Sequence, residues 1–197
     1  MKALVGLGNP GPLYALTRHN MGHLLVESYA SRKGVKLSPG RGDFLAGKAG
    51  ELWLVKTTCY MNLSGAPVRQ FLEESGLSPS DILVAYDDAA LPFGKLRLRP
   101  GGGHGGHHGM ESVIYSLGTE DVPRLRMGIG PLPEGVSLTE FVLSRFSQEE
   151  LEMLPRFLES AERCVEAWLT DPARAPGLCG GYSLEDWGAE PRMGRPG

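Results

Sequence analysis

The chain has 197 residues, 41% of them hydrophobic and 22% charged, and its formal net charge is -3. This is the balance of one globular domain with a well-filled core. It excludes a globally basic nucleic-acid binder, and since no apolar run approaches the roughly 20 residues that span a bilayer, no membrane protein is expected.

Near the N-terminus "ALVGL" is short and apolar, the pattern of a buried strand. A Gly/Pro turn follows. After Asn20 the residues Met21, Leu24, Leu25, Ser28 and Tyr29 recur at helical spacing, predicting a helix that Gly34 ends. The next strand is "LWLVK", followed by a helix over "SGAPVRQFLEESG" with Gly76 at its end. "ILVAY" is another buried strand, and "KLRLR" and "RLRMGIG" are strands with alternating charge. Between those two lie a glycine-rich loop and the helical segment "GHHGMESVIYSLG". At Ser147 the stretch "SQEE" forms a capping box with Glu150, opening a helix expected to reach Trp168 across a kink at Pro155.

Strands alternating with helices predict an α/β fold: a single domain with a mixed β-sheet flanked by helices, a three-layer sandwich. The domain is expected over residues 1–170. Residues 171–197, mixing Gly and Pro with little periodicity, are expected to form a poorly ordered or loosely packed tail, from which Tyr182 and Trp187 could dock. Cys59, Cys164 and Cys179 are an odd, widely spaced set without C-x-x-C, and "MKALVGLGNP" is interrupted too early for a signal peptide. Both features predict a reducing, cytoplasmic setting.

The stretch "GLGNPG" matches G-x-G-x-x-G, the dinucleotide fingerprint. Two requirements of such a site are missing. Pro10 and Pro12 flank Gly11 and remove amide donors that would face a pyrophosphate, and Glu27, at the distance where a ribose-binding acid should end a strand, falls within a helical pattern. What remains is a rigid turn that projects Asn9, followed by "TRHN". Alone, these residues read more readily as an Asx turn at Asn9 and a helix cap at His19.

Three further polar clusters follow strands: "TTCYMNLSG", "DDAALPFG" and "GGGHGGHHG". His, Asp and Asn at several strand ends suggest one shared site. A histidine can take a proton from water, a carboxylate can fix its tautomer, and a carboxamide N–H can stabilise a developing oxyanion; the set suffices for hydrolysis without a metal. Other chemistries fit less well. His104, His107 and His108 resemble a metal cluster but lack nearby carboxylate or thiolate partners in their loop, Ser64 is not in a G-x-S-x-G elbow, and Cys59 reads as a small buried hydrophobe. Water is the expected nucleophile. Lys95, Arg97 and Arg99 share one face of a strand, and Arg124 and Arg126 repeat the pattern, which reads either as a solvated sheet face or as a phosphate track.

Together "GLGNPGPLYALTRHNMG", "TTCYMNLSG", "DDAALPFGKLRLRPGGGHGGHHG" and "RLRMGIG" resemble, in order and spacing, the bacterial peptidyl-tRNA hydrolase family over about residues 1–170. The resemblance implies an esterase that releases peptide from the 3′ ribose of tRNA and recycles tRNA from aborted translation, a cytoplasmic monomer with peptidyl-tRNA as its partner and neither cofactor nor metal. It implies His19 as the catalytic base, Asp87 as the residue orienting it, and Asn9 and Asn62 as residues positioning substrate and reacting centre. Tyr14 and Met61 match pocket-lining residues, and Arg99 and Arg126 match a clamp for the tRNA 5′-phosphate. The chain departs from the family's pattern at Thr57 and Cys59, where Pro and Thr are usual, at Ala90, where an acid is usual, and at His108, where an active-site Asn is usual. His108 is therefore expected to add a titrating imidazole beside His19. The family's basic C-terminal ending is not recognisable. A catalytically silent RNA-binding relative and a nucleotide or phosphosugar enzyme are the alternatives from other classes.

Overall fold

The computed structural model describes residues 1–184. Seven strands form one mixed sheet: β1 (Lys2–Gly6), β2 (Ser38–Pro39), β3 (Phe44–Ala49), β4 (Leu52–Thr57), β5 (Ile82–Pro92), β6 (Leu96–Arg99) and β7 (Arg124–Gly130), in the order β2-β3-β4-β1-β5-β7-β6. The central strands β4, β1, β5 and β7 are parallel, and antiparallel strands close both edges. The helices are α1 (Met21–Lys33), α2 (Gly65–Ser75), α3 (His108–Leu117), α4 (Leu138–Leu143), α5 (Gln148–Thr170) and α6 (Ala175–Gly180).

Side chains alternate across a strand, and this divides the core in two. Leu4, Leu54, Leu83 and Leu125 pack on one face with Leu25 of α1 and Phe157 and Trp168 of α5. On the other face Ala3, Val5 and Val84 meet Val68 and Phe71 of α2 and Met110 and Val113 of α3. The result is the expected three-layer α/β arrangement. Gly34, Gly76 and Gly118 end α1, α2 and α3 in the left-handed conformation that glycine adopts without a Cβ penalty. No helix among the described residues is long and apolar enough to cross a membrane.

Three differences from the sequence reading have physical causes. Strand β3, "FLAGKA", gave no apolar run because most of it is only half-covered near the sheet edge. Helix α4 is too short for a periodicity, although its capping box of Ser137 and Glu140 was present in the sequence. The third difference corrects the loose tail for residues 171–184. There α6 buries Ala175 and Cys179, Cys179 forms a disulfide with Cys164 of α5, and Tyr182 lies 4.4 Å beneath the Arg163 guanidinium. A six-residue helix held by a tertiary cross-link leaves little local signal. The same pairing corrects the reading of the cysteines as an unpaired set, for Cys59 alone is free. Trp187 lies outside the described residues. Helix α5 itself continues through Pro155 to Thr170.

Candidate active site

From β1 the chain passes into α1 on one face of the sheet, and from the adjacent β4 into α2 on the other. The divergence opens a crevice at the carboxyl ends of the strands, where α/β sheets bind ligands. It is a cavity of about 950 Å³, and all nine predicted site residues line it: Asn9, Tyr14, His19, Met61, Asn62, Asp87, Arg99, His108 and Arg126.

The glycines of the first turn serve close packing. A Cβ on Gly6 would fall 2.2 Å from Gly22 O, and one on Gly22 would fall 2.2 Å from Ala85 O, so the start of α1 lies directly against β1 and β5. Only Gly11 of this turn needs its positive φ, at 94°. The contact carries the short 3-10 turn Arg18–Asn20 to a place above Asp87, two residues beyond Ala85.

His19 Nδ1 lies 2.8 Å from Asp87 Oδ2, and His107 Nε2 lies 3.0 Å from Asp87 Oδ1. Asp87 is 2% exposed. Burial alone would raise its carboxyl, but the two imidazoles facing it hold it well below the usual carboxylate range. The carboxylate accepts, so each imidazole donates. His19 then carries its proton on Nδ1 and leaves Nε2 as a lone pair without a partner among the described residues. His107 is fixed the other way: its Nδ1 accepts the Met110 N–H at 3.1 Å as the N-cap of α3, so its proton sits on Nε2. The imidazole rings of His19 and His107 are 5.1 Å apart.

His19, Asp87 and His107 are also the one group among the described residues whose ligand atoms converge as a metal site would require. Their tautomers do not fit one. With Nδ1 occupied by a backbone amide and Nε2 protonated toward Asp87, His107 has no lone pair to offer.

Asn9 is fixed with similar strictness. Its Oδ1 accepts the Met61 N–H at 2.8 Å, a partner that can only donate, so the amide cannot be flipped and Nδ2 is the group presented at the cavity wall. Met61 itself is buried, whereas Asn62, on the same 3-10 turn, is exposed. Tyr14 meets Tyr60 edge to face at 6.5 Å, and Leu138, Val142 and Leu143 of α4 supply an apolar wall opposite the polar groups. The buried Arg18 braces that wall: its guanidinium donates to Ser144 Oγ and Arg145 O, pairs with Glu150, and lies 4.6 Å from the Phe141 ring.

Two expectations need correction. His107, not His108, stands beside His19. The His108 side chain is 76% exposed at the rim, 3.8 Å from Glu111. Sequence reading missed His107 because its carboxylate partner is 20 residues away on β5 and not in the glycine-rich loop. The basic faces are also less free than their spacing implied. Arg124 is 2% exposed and donates to Val122 O, Gly103 O and Glu120 O, bracing the glycine-rich loop, while Arg126 Nε is 2.6 Å from Asp88 Oδ2. Arg97 and Arg99 are exposed.

A profile described as Peptidyl-tRNA hydrolase matches residues 3–176. The chain is 40% identical over 171 residues to the peptidyl-tRNA hydrolase of Pseudothermotoga lettingae, covering 87% of this chain and 91% of that one. It is 45% identical over 174 residues to that of Gloeobacter violaceus, covering 86% and 88%. Among solved structures, peptidyl-tRNA hydrolase from Acinetobacter baumannii superposes with a TM-score of 0.85 at 30% identity, covering 93% of this chain and 96% of that one.

Proposed function

Because the chain belongs to the peptidyl-tRNA hydrolase family, we propose that His19 activates the water that cleaves the ester between peptide and tRNA. The family's reaction is hydrolysis of that ester to peptide and free tRNA. One observation carries the assignment of roles: His19 is locked through Nδ1 onto a buried carboxylate, with its Nε2 lone pair left over in a cavity that Asn9 Nδ2 also lines. Water held by Nε2 loses its proton as it attacks the ester carbon. Asn9 Nδ2 donates to the developing oxyanion, and the imidazolium, stabilised by Asp87, returns its proton to the departing 3′ oxygen of the ribose. A positioned base is worth about 10² to 10⁴ in rate and one oxyanion donor about 10² to 10³. An ester, already activated relative to an amide, needs little more.

In this reading Asn62, Tyr14 and Met61 shape the place of the terminal nucleotide and the first peptide residue, and His108 stands at the mouth. Arg99 and Arg126 contact a tRNA phosphate. The protein works in the cytoplasm, where its substrate is made, as a monomer. Cys164 and Cys179 are both 0% exposed, so their disulfide is shielded from the thiols of that compartment.

The test is peptide release from N-blocked aminoacyl-tRNA. His19→Ala is expected to lower kcat at least about 10²-fold while tRNA affinity changes little. Equal losses in both would make His19 a binding or structural residue.

A further inference from the structure

Asn20 lies behind Asn9 and has no polar atom to spare for a substrate. It is 2% exposed; its Oδ1 accepts the Asn9 N–H at 2.9 Å, its Nδ2 donates to Asn9 O at 2.9 Å, and the second Nδ2 hydrogen is directed to His23 Nδ1 at 3.5 Å. That partner must accept, which puts the His23 ring proton on Nε2. There it meets Thr57 Oγ1 at 3.2 Å, while the Thr57 hydroxyl is directed to Gly6 O at 3.4 Å. The donations therefore run one way, from the Asn9 N–H through Asn20 and His23 at the start of α1 to Thr57 at the end of β4 and on to Gly6 O.

His23 is 3% exposed, and its ring fills the space under the catalytic turn: a Cβ on Gly8 would fall 2.6 Å from it. Burial, aided by the nearby Lys56 charge and opposed by the Thr57 contact, lowers its pKa to about 3, so it is a neutral donor and acceptor across the working range. An apolar ring would fill the same space without the cost of burying polar atoms. What the imidazole adds is an acceptor for Asn20.

We infer that His23 and Thr57 are positioning residues for the reaction: they fix the Asn20 carboxamide, which grips both backbone groups of Asn9 and thereby aims Asn9 Nδ2 at the reacting centre. The inference rests on the role proposed for Asn9. Neither residue touches the cavity, and the effect is transmitted entirely through hydrogen bonds.

The experiment compares kcat and KM on N-blocked aminoacyl-tRNA for His23→Phe, His23→Gln, His23→Asn and Thr57→Val beside Asn9→Ala, with thermal unfolding of each. The side-chain oxygen of Asn can occupy the place of Nδ1, whereas that of Gln reaches only the place of Nε2. His23→Phe and His23→Gln are expected to lower kcat about tenfold with KM changed less than about twofold, and His23→Asn to keep most of the wild-type kcat although it leaves a void. Thr57→Val should fall between them. Activity that simply follows Tm, with His23→Asn lowest in both, would overturn the inference. Adding His23→Phe to Asn9→Ala should cost less than about a further twofold; a full multiplicative loss would place His23 on a separate path and overturn it too. An unimpaired Asn9→Ala enzyme would overturn the role of Asn9 itself, whereas an impaired Asn9→Ala beside an unaffected His23→Phe would overturn only the positioning chain.

Discussion

Asp87 is buried and gives both oxygens to imidazoles, whereas Asp88, the next residue of β5, is half-buried and holds a guanidinium. The two carboxylates mark two halves of one cavity. Around Asp87 nearly every polar atom is committed within the protein, and what is left over is a single imidazole nitrogen and a single carboxamide NH₂ group. Around Asp88 the charges are partly offset, with Arg126 paired, Arg124 absorbed by carbonyls, and Arg97 and Arg99 open to solvent. On the proposed reading, the contrast teaches that chemistry belongs to the half where hydrogen-bond capacity is exhausted except at the reacting atoms, and that the half with surplus charge is suited to holding a polyanion.

The comparison is broken most directly at Asp87. An Asn there could accept from only one imidazole and would have to donate to the other. His107 cannot accept on Nε2 without turning its Nδ1 proton against the Met110 N–H, so the donor would face His19 and force its proton onto Nε2. Asp87→Asn is therefore expected to reduce kcat about 10²-fold, close to the effect of His19→Ala, with tRNA affinity retained. A loss of less than about threefold, measured in the same release assay, would mean that the tautomer of His19 is set elsewhere.

The committed half also carries a pH signature in stability. His23 is neutral in the fold, with a pKa lowered to about 3, while an unfolded histidine titrates near 6.5. Between these values the unfolded chain binds more protons, so this contribution is fully present above about pH 6.5 and is lost as pH falls toward 3, at up to about 1.4 kcal/mol per pH unit. Denaturant unfolding of His23→Phe across this range should show a shallower pH dependence than wild type, and parallel curves would contradict the burial of a neutral ring.

In the charged half the expected effects are smaller and depend on salt. If Arg126 neutralises one phosphate, Arg126→Gln should weaken tRNA binding several-fold and flatten the slope of log K against log salt by about 0.7 to 0.9. An unchanged slope would assign Arg126 to holding Asp88 in place. The smallest effect belongs to His108. Exposed at the rim with Glu111 beside it, it is expected to leave the acid limb of kcat/KM unmoved on conversion to Asn, within about 0.2 pH unit. A limb that becomes shallower in His108→Asn would place a second titrating imidazole in the committed half after all.

Much of the fold was legible because its signals are local. The runs "ALVGL", "LWLVK" and "ILVAY" became β1, β4 and β5, three of the four central strands, and the glycines that should stop helices do stop them. The site was legible as a list of residues around one cavity, with His19 and Asp87 as the one pair the family resemblance implied, but not in its other partners. His107 and Asp87, Arg126 and Asp88, Arg124 and Gly103 are pairs made between segments 20 to 38 residues apart, and no periodicity says which polar neighbour a strand end will meet. The glycine fingerprint misleads for a related reason. The freedom that would bring backbone close to a phosphate also brings a helix close to a sheet, and here Gly6 and Gly22 do the second.

The segment after α5 has a consequence for solubility. Strand β6 is the outermost strand on its side of the sheet, and an exposed edge can pair with a strand of another molecule. Residues 183 and 184 occupy part of that edge: Ser183 Oγ takes the Leu96 N–H at 2.9 Å, and the Leu184 N–H donates to Gly94 O at 2.9 Å. The disulfide closes a loop of sequence separation 15 just before this contact, which keeps the covering segment near its place even when the contact opens. With that cover in place and the Arg97 and Arg99 side chains projecting from the same strand, this edge of the sheet is guarded against growing by addition of a neighbour's strand, the first step toward fibrous association.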